Sequence, residues 1–542
     1  MPLKDISTSI YTFPDLIESQ RLYIDKTRYI YRLIHPGNGF FFCARPRRFG
    51  KSLTISTLEA VFQGRRELFR GLYLEHADYD WTVHPVIHLD FAQSSMETLT
   101  QLKNWLCHKL ADIGTRYGLT LQETDAVLLF GMLIQRLYDK TGQDVVVLID
   151  EYDKPILEHM RSGKEAESFR FFLENFYQII KGMAACEHFV FITGVTKFAK
   201  VSIFSKLNNL TDITNDPEYA TMFGYTQEEL EQGFEEYFAQ LLGNKVTDNK
   251  GQVLNRTQLL ASVKKWYDGF RFAGNAPSVY NPVSIGKFLQ SKGRFRNYWF
   301  ATGTPSFLLE FFRKQQLTLA DIEQAFVSDS DFELFDVSRL AEGNATKEQL
   351  FQLMFQTGYL TINKEQSRGA LLMYTLRFPN YEVEISFTEQ LSQVYHPRIA
   401  VSSYVFKLVD AIDAGDTAGF IDWLREYLAN IPYDIQIAQE KYYQSLVYSI
   451  LLLCGADMQT EICTNKGRID AVLTTDSHLY IIEFKLNQSA ETGLAQIEEK
   501  SYTQKYELMA KEKHQQLHKL AINFSYAKDV RNITDWKETL SV

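Results

Sequence analysis

Cysteine is scarce in this 542-residue chain, and the five present do not pair up. Cys43, Cys107, Cys186, Cys454 and Cys463 are scattered, odd in number and without a CxxC spacing. Neither a zinc site nor a disulfide framework is indicated, and a reducing cytoplasm is the expected location. Long apolar runs are missing too. No stretch reaches the roughly 18 uninterrupted apolar residues of a membrane span, so no membrane association is expected. The opening MPLKDISTSIYTFPD has no basic start leading into an apolar run, so no signal peptide is expected. Positive charge in excess is also absent, since the formal net charge is −10. That argues against indiscriminate nucleic-acid binding over the whole surface and leaves only a local basic groove open.

What is present suits a folded protein: 45% hydrophobic and 23% charged residues. The length implies about three or four domains. Aromatics make up 14%, read here as well-filled cores rather than stacking platforms. The first 215 or so residues alternate short apolar strands with helical patterns. Phe40–Ala44, Val86–Leu89, Val145–Ile149 and Phe189–Thr193 are continuous apolar runs, as a parallel sheet covered on both faces requires. Helical stretches such as Leu53–Gln63 and Glu165–Lys181 separate them, giving the rhythm of a doubly wound α/β fold. From 216 to 310 the pattern turns helical, a lid, with Thr226 and Glu229 forming a capping box for a helix through Phe238. From 311 to 432 a middle region is expected, with a helix and two strands, Tyr359–Ile362 and Glu382–Phe387, in a winged-helix-like arrangement, then a helical segment over 404–430. A final α/β domain over 433–542 reads helix, hairpin, helix, strand. No repeat or low-complexity linker interrupts the chain.

Gly50-Lys51-Ser52 follows the first strand and precedes a helix beginning at Leu53. A phosphate-binding loop needs this order. Helix N-terminal N–H groups face the phosphates, the lysine reaches the β and γ phosphates, and the serine hydroxyl binds Mg²⁺. Arg45 stands where the usual motif has its first glycine. A second element supports the reading: Val145–Ile149 ends in Asp150-Glu151. In an NTPase Asp150 holds the Mg²⁺ shell and Glu151 polarises the attacking water. Thr193 ends another strand, either sensing the γ-phosphate or serving as a satisfied hydroxyl. Arg47 and Arg48 either neutralise phosphate or face solvent.

The run Arg45-Pro46-Arg47-Arg48-Phe49-Gly50-Lys51-Ser52 resembles the P-loop of a bacterial AAA-ATPase-like family, in which an arginine replaces the first glycine. Matching segments include Tyr23–Thr27, Leu148–Asp153, Trp266–Phe270, Tyr280–Pro282, Thr302–Phe307 and Phe378–Val383. The resemblance implies ATP and Mg²⁺ bound around residues 45–53, with Asp150 and Thr193. Two segments also have local readings: Asp25 caps the helix after it, and Tyr267-Asp268-Gly269 makes a turn.

Near the C-terminus, Ile469–Leu473 and Leu479–Leu486 read as two strands of a hairpin. Glu483 and Lys485 are two apart on one strand and share a face, and the hairpin brings Asp470 beside them. Two carboxylates and a lysine on one sheet face suit divalent-metal hydrolysis of a phosphodiester, with Asp470 and Glu483 on Mg²⁺ or Mn²⁺ and Lys485 on water or developing charge. An edge hairpin with a surface Glu–Lys pair has the same pattern. Upstream, Glu440 opens an apolar helix; downstream, Gln496 and Tyr502 lie six apart in a helical stretch. The set resembles the PD-(D/E)XK nuclease superfamily, in the branch often fused behind the AAA-ATPase-like domain. That resemblance implies a catalytic Asp470, Glu483, Lys485, Gln496 and Tyr502, with Glu440 as a further acid. Residue 469 is Ile where the superfamily often has Pro. Charge adds nothing here: residues 441–542 hold 12 Lys and Arg against 13 Asp and Glu.

Two classes of function follow. One is an ATP-regulated nuclease acting on DNA or RNA, with a host-defence or mobile-element role by analogy alone. The other is a nucleotide-switched scaffold or nucleic-acid-binding protein that does not cut. An ATPase with a vestigial C-terminal domain is a third. A homo-oligomer supplying an arginine in trans is also left open.

Overall fold

The computed structural model describes residues 3–541 apart from 36, 38, 94–96, 161–162, 198–208, 250, 300–307, 310–311, 313–314, 316, 318, 324, 329–344, 370, 396–400, 432–439, 455–456, 464–467 and 528–529. The Thr302–Phe307 segment of the family resemblance therefore lies outside the described residues. The chain forms two compact units, Met1–Phe311 with Gln324–Val383, and Phe312–Glu323 with Glu384–Val542. The region 311–432 is thus shared between them.

The first unit is built on five parallel strands: β1 Gly39–Ala44, β2 Val86–Asp90, β3 Val145–Asp150, β4 Glu187–Gly194 and β5 Thr211–Asp212, in the order β2-β3-β4-β1-β5. Every residue of β3 is buried, as its unbroken apolar run demands. Register aligns Asp90 with Asp150, and Cys43 with Thr193, so the carboxyl ends of the strands share one edge. Ligands of open parallel sheets bind along that edge. Asp25 receives the N–H of Thr27 at 2.7 Å and that of Tyr73 at 2.7 Å, fixing the start of the helix Thr27–Ile34.

The lid consists of the helices Gln227–Gly233, Glu235–Gly243, Arg256–Tyr267 and Pro282–Gln290 around a core that includes Leu230, Phe234, Phe238, Tyr267 and Phe288. The Thr226–Glu229 capping box is present. The expected single helix through Phe238 is instead two, because Gly233 is a weak helix former and Phe234 leaves helical geometry to bury its ring.

A three-stranded sheet brackets the helix Lys347–Gln356 in sequence: β6 Phe326–Ser328 precedes it, and β7 Thr361–Arg368 and β8 Leu371–Arg377 follow it, with spatial order β6-β8-β7. A helix with a strand pair is therefore present, but its second strand is β8. The expected strand Glu382–Phe387 lies inside the helix Tyr381–Tyr395. Its alternation of charged and apolar residues suggests a strand, yet Val383, Phe387 and Leu391 are buried at the four-residue helical repeat. Asn380 Oδ1 accepts the Val383 N–H at 3.1 Å and caps the first turn.

The second unit carries the mixed sheet β13-β12-β11-β10-β9: β9 Asp457–Cys463, β10 Arg468–Thr474, β11 His478–Leu486, β12 Gln516–Phe524 and β13 Ile533–Ser541. β11 and β12 are parallel and the other pairs antiparallel. The expected helix, hairpin, helix and strand thus gain β9 and β13, and the helix between hairpin and strand divides into Ala490–Glu499 and Gln504–Glu512. The segment 404–430 divides too, into Val401–Asp413 and Thr417–Ala429, with Asp416 capping the second by accepting the Gly419 N–H at 2.9 Å. Among the described residues, no helix is long and apolar enough to cross a membrane.

Glu187, the first residue of β4, is 1% exposed, and neither carboxylate oxygen has a hydrogen-bond partner among the described residues. Burial pushes its carboxyl up to about 8. The folded chain therefore keeps a proton that the unfolded chain releases near 4.5, and stability is lost progressively as pH rises between those values. Glu187→Gln is expected to melt higher than the parent at pH 8, with the gap closing toward pH 5. Thermal melts across that range check this, and parallel curves would sink it.

Candidate nucleotide site and candidate nuclease site

β1 runs into the loop 45–50 and then the helix Lys51–Phe62, whose N-cap Gly50 has a left-handed φ of 96°. Lys51 is buried. Its Nζ donates to the carbonyls of Arg45 at 3.1 Å and Pro46 at 3.3 Å, and lies 3.3 Å from Glu151 Oε1. The Ser52 hydroxyl hydrogen-bonds the Asp150 carboxylate. Burial first, then the charge of Glu151, holds Asp150 above the usual carboxylate range, at about 6. Glu151 leaves the strand with φ of 51°, which turns its side chain out of the sheet and onto the lysine. Asp153, a residue to which the sequence assigned no role, joins β3 to the end of β4. Its carboxylate accepts the N–H groups of Val195 at 3.0 Å and Thr196 at 2.6 Å and the Thr196 hydroxyl at 2.6 Å.

The other loop residues divide by where their side chains go. Arg45 is turned away from the loop interior. Its guanidinium donates to the carbonyls of Ala44 and Thr214, reaches Tyr219 O at 3.4 Å, and stacks 4.3 Å from the Phe272 ring centre. Its side chain ties the loop to the segment after β5. Pro46 abuts Gly358, where an added Cβ would sit 2.8 Å away. Phe49 packs edge-on to Phe270 and Phe272. Arg47, Arg48, Gly50, Lys51, Ser52 and Leu53 line one cavity of about 320 Å³. Thr193 is fully buried, and its hydroxyl donates to Cys43 O at 2.7 Å, the satisfied-hydroxyl alternative.

That cavity has an apolar half that sequence patterns did not reveal, walled by Ile6, Ile10, Ile24, Phe223, Tyr225 and Val283. The N-terminal strap reaches it by lying on the lid, with Gln290 Nε2 donating to Ile6 O at 2.8 Å. Lys26, also in the wall, is committed to Glu229 at 2.6 Å and to Thr221 O at 2.8 Å. The one local signal for these residues was the Tyr23–Thr27 segment, without any indication of what it faces. The pairing of a charged loop with an apolar recess suits a nucleoside triphosphate. Ser52 and Asp150 are an oxygen donor pair of the hard kind Mg²⁺ takes.

In the second unit Glu483 and Lys485 lie on one face of β11, both buried, with Lys485 Nζ donating to Glu483 Oε1 at 2.8 Å. Asp470 Oδ2 accepts the Phe484 N–H at 2.8 Å, which sets the aspartate beside the pair. Burial, then the charge of Asp470, raises Glu483 to about 7, and the charge of Glu440 acts in the same direction. Glu440, Asp470, Glu483 and Lys485 are thus brought together. Gly493 lets the helix Ala490–Glu499 close over them: an added Cβ would lie 2.8 Å from Ala521 Cβ and 3.7 Å from Glu483 Cγ and Lys485 Cγ. Gln496 is on that helix. Tyr502 is not, because the helix stops at Glu499 and Ser501 turns left-handed at φ of 50°. Tyr502 instead packs with Ile481, Ile497 and Leu517. Among the described residues no three His, Cys, Asp or Glu side chains form a ready metal cage. The two carboxylates nevertheless fit a divalent ion, since Glu483 Oε2 is buried with no hydrogen-bond partner among the described residues. A water-rich Mg²⁺ shell needs only one or two such donors.

The first unit is thus a P-loop-type α/β domain with a lid, and the second carries a PD-(D/E)XK-type mixed sheet. The family model described as "Predicted AAA-ATPase" matches residues 7–204, and that of the PD-(D/E)XK nuclease superfamily matches residues 438–536. A protein of Azotobacter chroococcum mcd 1, described as "Uncharacterized protein in vnfD 5'region", is 35% identical over 543 residues, covering 98% of each chain. The chain belongs to the AAA-ATPase-like family and carries a C-terminal domain of the PD-(D/E)XK nuclease superfamily.

The position of Arg45 makes a testable distinction. Arg45→Ala leaves buried carbonyls unpaired and a void beside Phe272, at an expected cost of about 3–5 kcal/mol in the nucleotide-free protein. Denaturant titration without nucleotide reads this out. An unchanged midpoint would mean the side chain serves phosphate alone.

Proposed function

We propose that this protein hydrolyses ATP in the cavity of its first unit and cuts nucleic acid at the carboxylate–lysine site of its second, with nucleotide state regulating the cut. The observation that carries the nuclease half is the buried Glu483, one oxygen on Lys485 and the other without a hydrogen-bond partner among the described residues. A simple core has no use for two carboxylates and a lysine at such desolvation cost.

At the ATP site, Lys51 and the N–H groups of the first helical turn bind phosphate, Ser52 and Asp150 would hold Mg²⁺, and Glu151 takes the proton of the attacking water. Mg²⁺ supplies charge neutralisation on the phosphates. Without nucleotide, Lys51 is drawn to Glu151 and to the loop carbonyls. Phosphate binding recruits the lysine and frees the base, so substrate assembles its own catalytic arrangement. Asp153 keeps the ends of β3 and β4 in register for this. At the nuclease site Asp470 and Glu483 would hold a divalent ion, Mg²⁺ or Mn²⁺, whose contribution there would be to lower the pKa of a bound water. Lys485 stabilises charge on the phosphodiester, and Glu440 and Gln496 line its approach.

Purified protein should cut at least one of single- or double-stranded DNA or RNA when given Mg²⁺ or Mn²⁺. Asp470→Ala and Lys485→Ala should each reduce cutting by about a hundredfold or more. ATP should change the cutting rate of the parent and leave that of Lys51→Ala unchanged. Absence of cleavage across the panel, or variants that cut as well as the parent, removes the nuclease reading and leaves a nucleotide-switched binding protein.

A further inference from the structure

Three of the segments that match the family, Trp266–Phe270, Tyr280–Pro282 and Phe378–Val383, converge on the P-loop. Gly269 has φ of 112°, and a Cβ there would fall 1.9 Å from Pro379 O, so only glycine lets the two segments touch. Tyr381 meets Trp266 edge-on at 4.8 Å. Asn281 caps the helix Pro282–Gln290 with its oxygen, and its Nδ2 reaches Arg48 O at 3.5 Å. At the centre of this contact is Glu382, fully buried in the first turn of the helix Tyr381–Tyr395.

Glu382 Oε1 accepts the N–H groups of Tyr298 and, at 2.8 Å, Trp299. Its Oε2 accepts the Ser284 hydroxyl at 2.7 Å. The Trp299 N–H and the Tyr298 C=O belong to one peptide group. That same carbonyl accepts Arg48 Nη1 at 3.4 Å. A single peptide therefore lies between a buried carboxylate and an arginine of the P-loop, its dipole aligned with both charges. The charges of Arg48 and Glu382 also act on each other directly. Arg48 is in a left-handed conformation at φ of 69°, a strained state for a residue with a side chain that the surrounding contacts have to hold. Its neighbour Arg47 lines the same cavity but is exposed and makes no hydrogen bond or ion pair among the described residues.

We propose that Glu382 is a positioning residue for the ATP site: through the Tyr298–Trp299 peptide it holds Arg48 in the cavity wall, where the guanidinium meets the triphosphate. This rests on the ATP reading above. Arg48 then supplies from within the chain a phosphate-facing cation, the role an arginine plays in other P-loop enzymes either in cis or from a partner protein. Among the described residues, the groups facing Glu382 include Arg48 from the loop, Ser284 from the lid helix, the two N–H groups and the Tyr267 and Tyr298 phenols. Arg48 is the cation among them.

The test uses steady-state ATP hydrolysis and titration with a fluorescent ATP analogue on the full chain. Glu382→Gln keeps the shape and an oxygen acceptor and removes the charge. Glu382→Gln and Arg48→Ala should each raise KM for ATP about tenfold, with kcat less affected, and the double variant should be no worse than Arg48→Ala. In an Arg47→Ala background the Glu382→Gln effect should multiply in full. A folded Glu382→Gln with the parental KM overturns the proposal, as do Glu382→Gln and Arg48→Ala effects that multiply. Should Glu382→Gln not fold, Ser284→Ala loosens the same carboxylate. A KM rise that vanishes in the Arg48→Ala background supports the proposal, and an unchanged KM overturns it. Lys51→Ala separates the two levels: if it binds the analogue as well as the parent does, the ATP reading itself fails.

Discussion

A charge taken out of water has to be met inside the protein, and that requirement places most of the chemistry this chain has. Arg45, Lys51, Asp150, Asp153, Glu382, Glu483 and Lys485 are all buried. Each leaves water at an effective cost of several kcal/mol. Several are then answered by groups from another element: Arg45 by carbonyls after β5, Asp153 by the end of β4, Glu382 by the peptide at Tyr298–Trp299. The partners are what hold strand ends, loop and lid in one arrangement. Glu187 marks the contrast. It is buried and unpartnered among the described residues, yet no cation or second carboxylate is brought to it, so it lacks the constellation that makes Glu483 a candidate site.

The two sites use one electrostatic device in different settings. In both, a carboxylate raised by burial sits beside a buried lysine and a second acid: Asp150 with Lys51 and Glu151, Glu483 with Lys485 and Asp470. The strand supplies rigidity, and the neighbouring helix supplies either open N–H groups, at Lys51, or close cover, at Gly493. Such pairs are poised because neither full ionisation nor neutrality is comfortable without a ligand. A phosphate or a divalent ion relieves both.

Much of this is legible in the sequence. Continuous apolar runs marked β1 to β4 because a strand covered on both faces has no polar side to show. Gly50-Lys51-Ser52 and Asp150-Glu151 could be set against each other because a parallel sheet puts their strand ends on one edge. Glu483 and Lys485 shared a face by the two-residue period alone. The failures are equally physical. Glu382–Phe387 alternates like a strand, but its helical state depends on Asn380 and on burial at Val383, Phe387 and Leu391, which only packing defines. Tyr502 looked helical because nothing in its neighbours announces the left-handed turn at Ser501. Arg45 read as a phosphate ligand because its position in the loop is local, whereas Thr214 and Phe272 come from far along the chain.

The sequence by itself determined the class of fold, the first four strands of the parallel sheet and the residue types at each site, since these follow from short-range periodicity and from the spacing of a few polar groups around apolar strands. The tertiary structure alone decided which charges meet. Arg48 and Glu382 are more than three hundred residues apart, and the peptide between them belongs to a third segment. Long-range pairing of that kind leaves no periodic trace, because it depends on where separate elements are brought by the burial of their apolar faces.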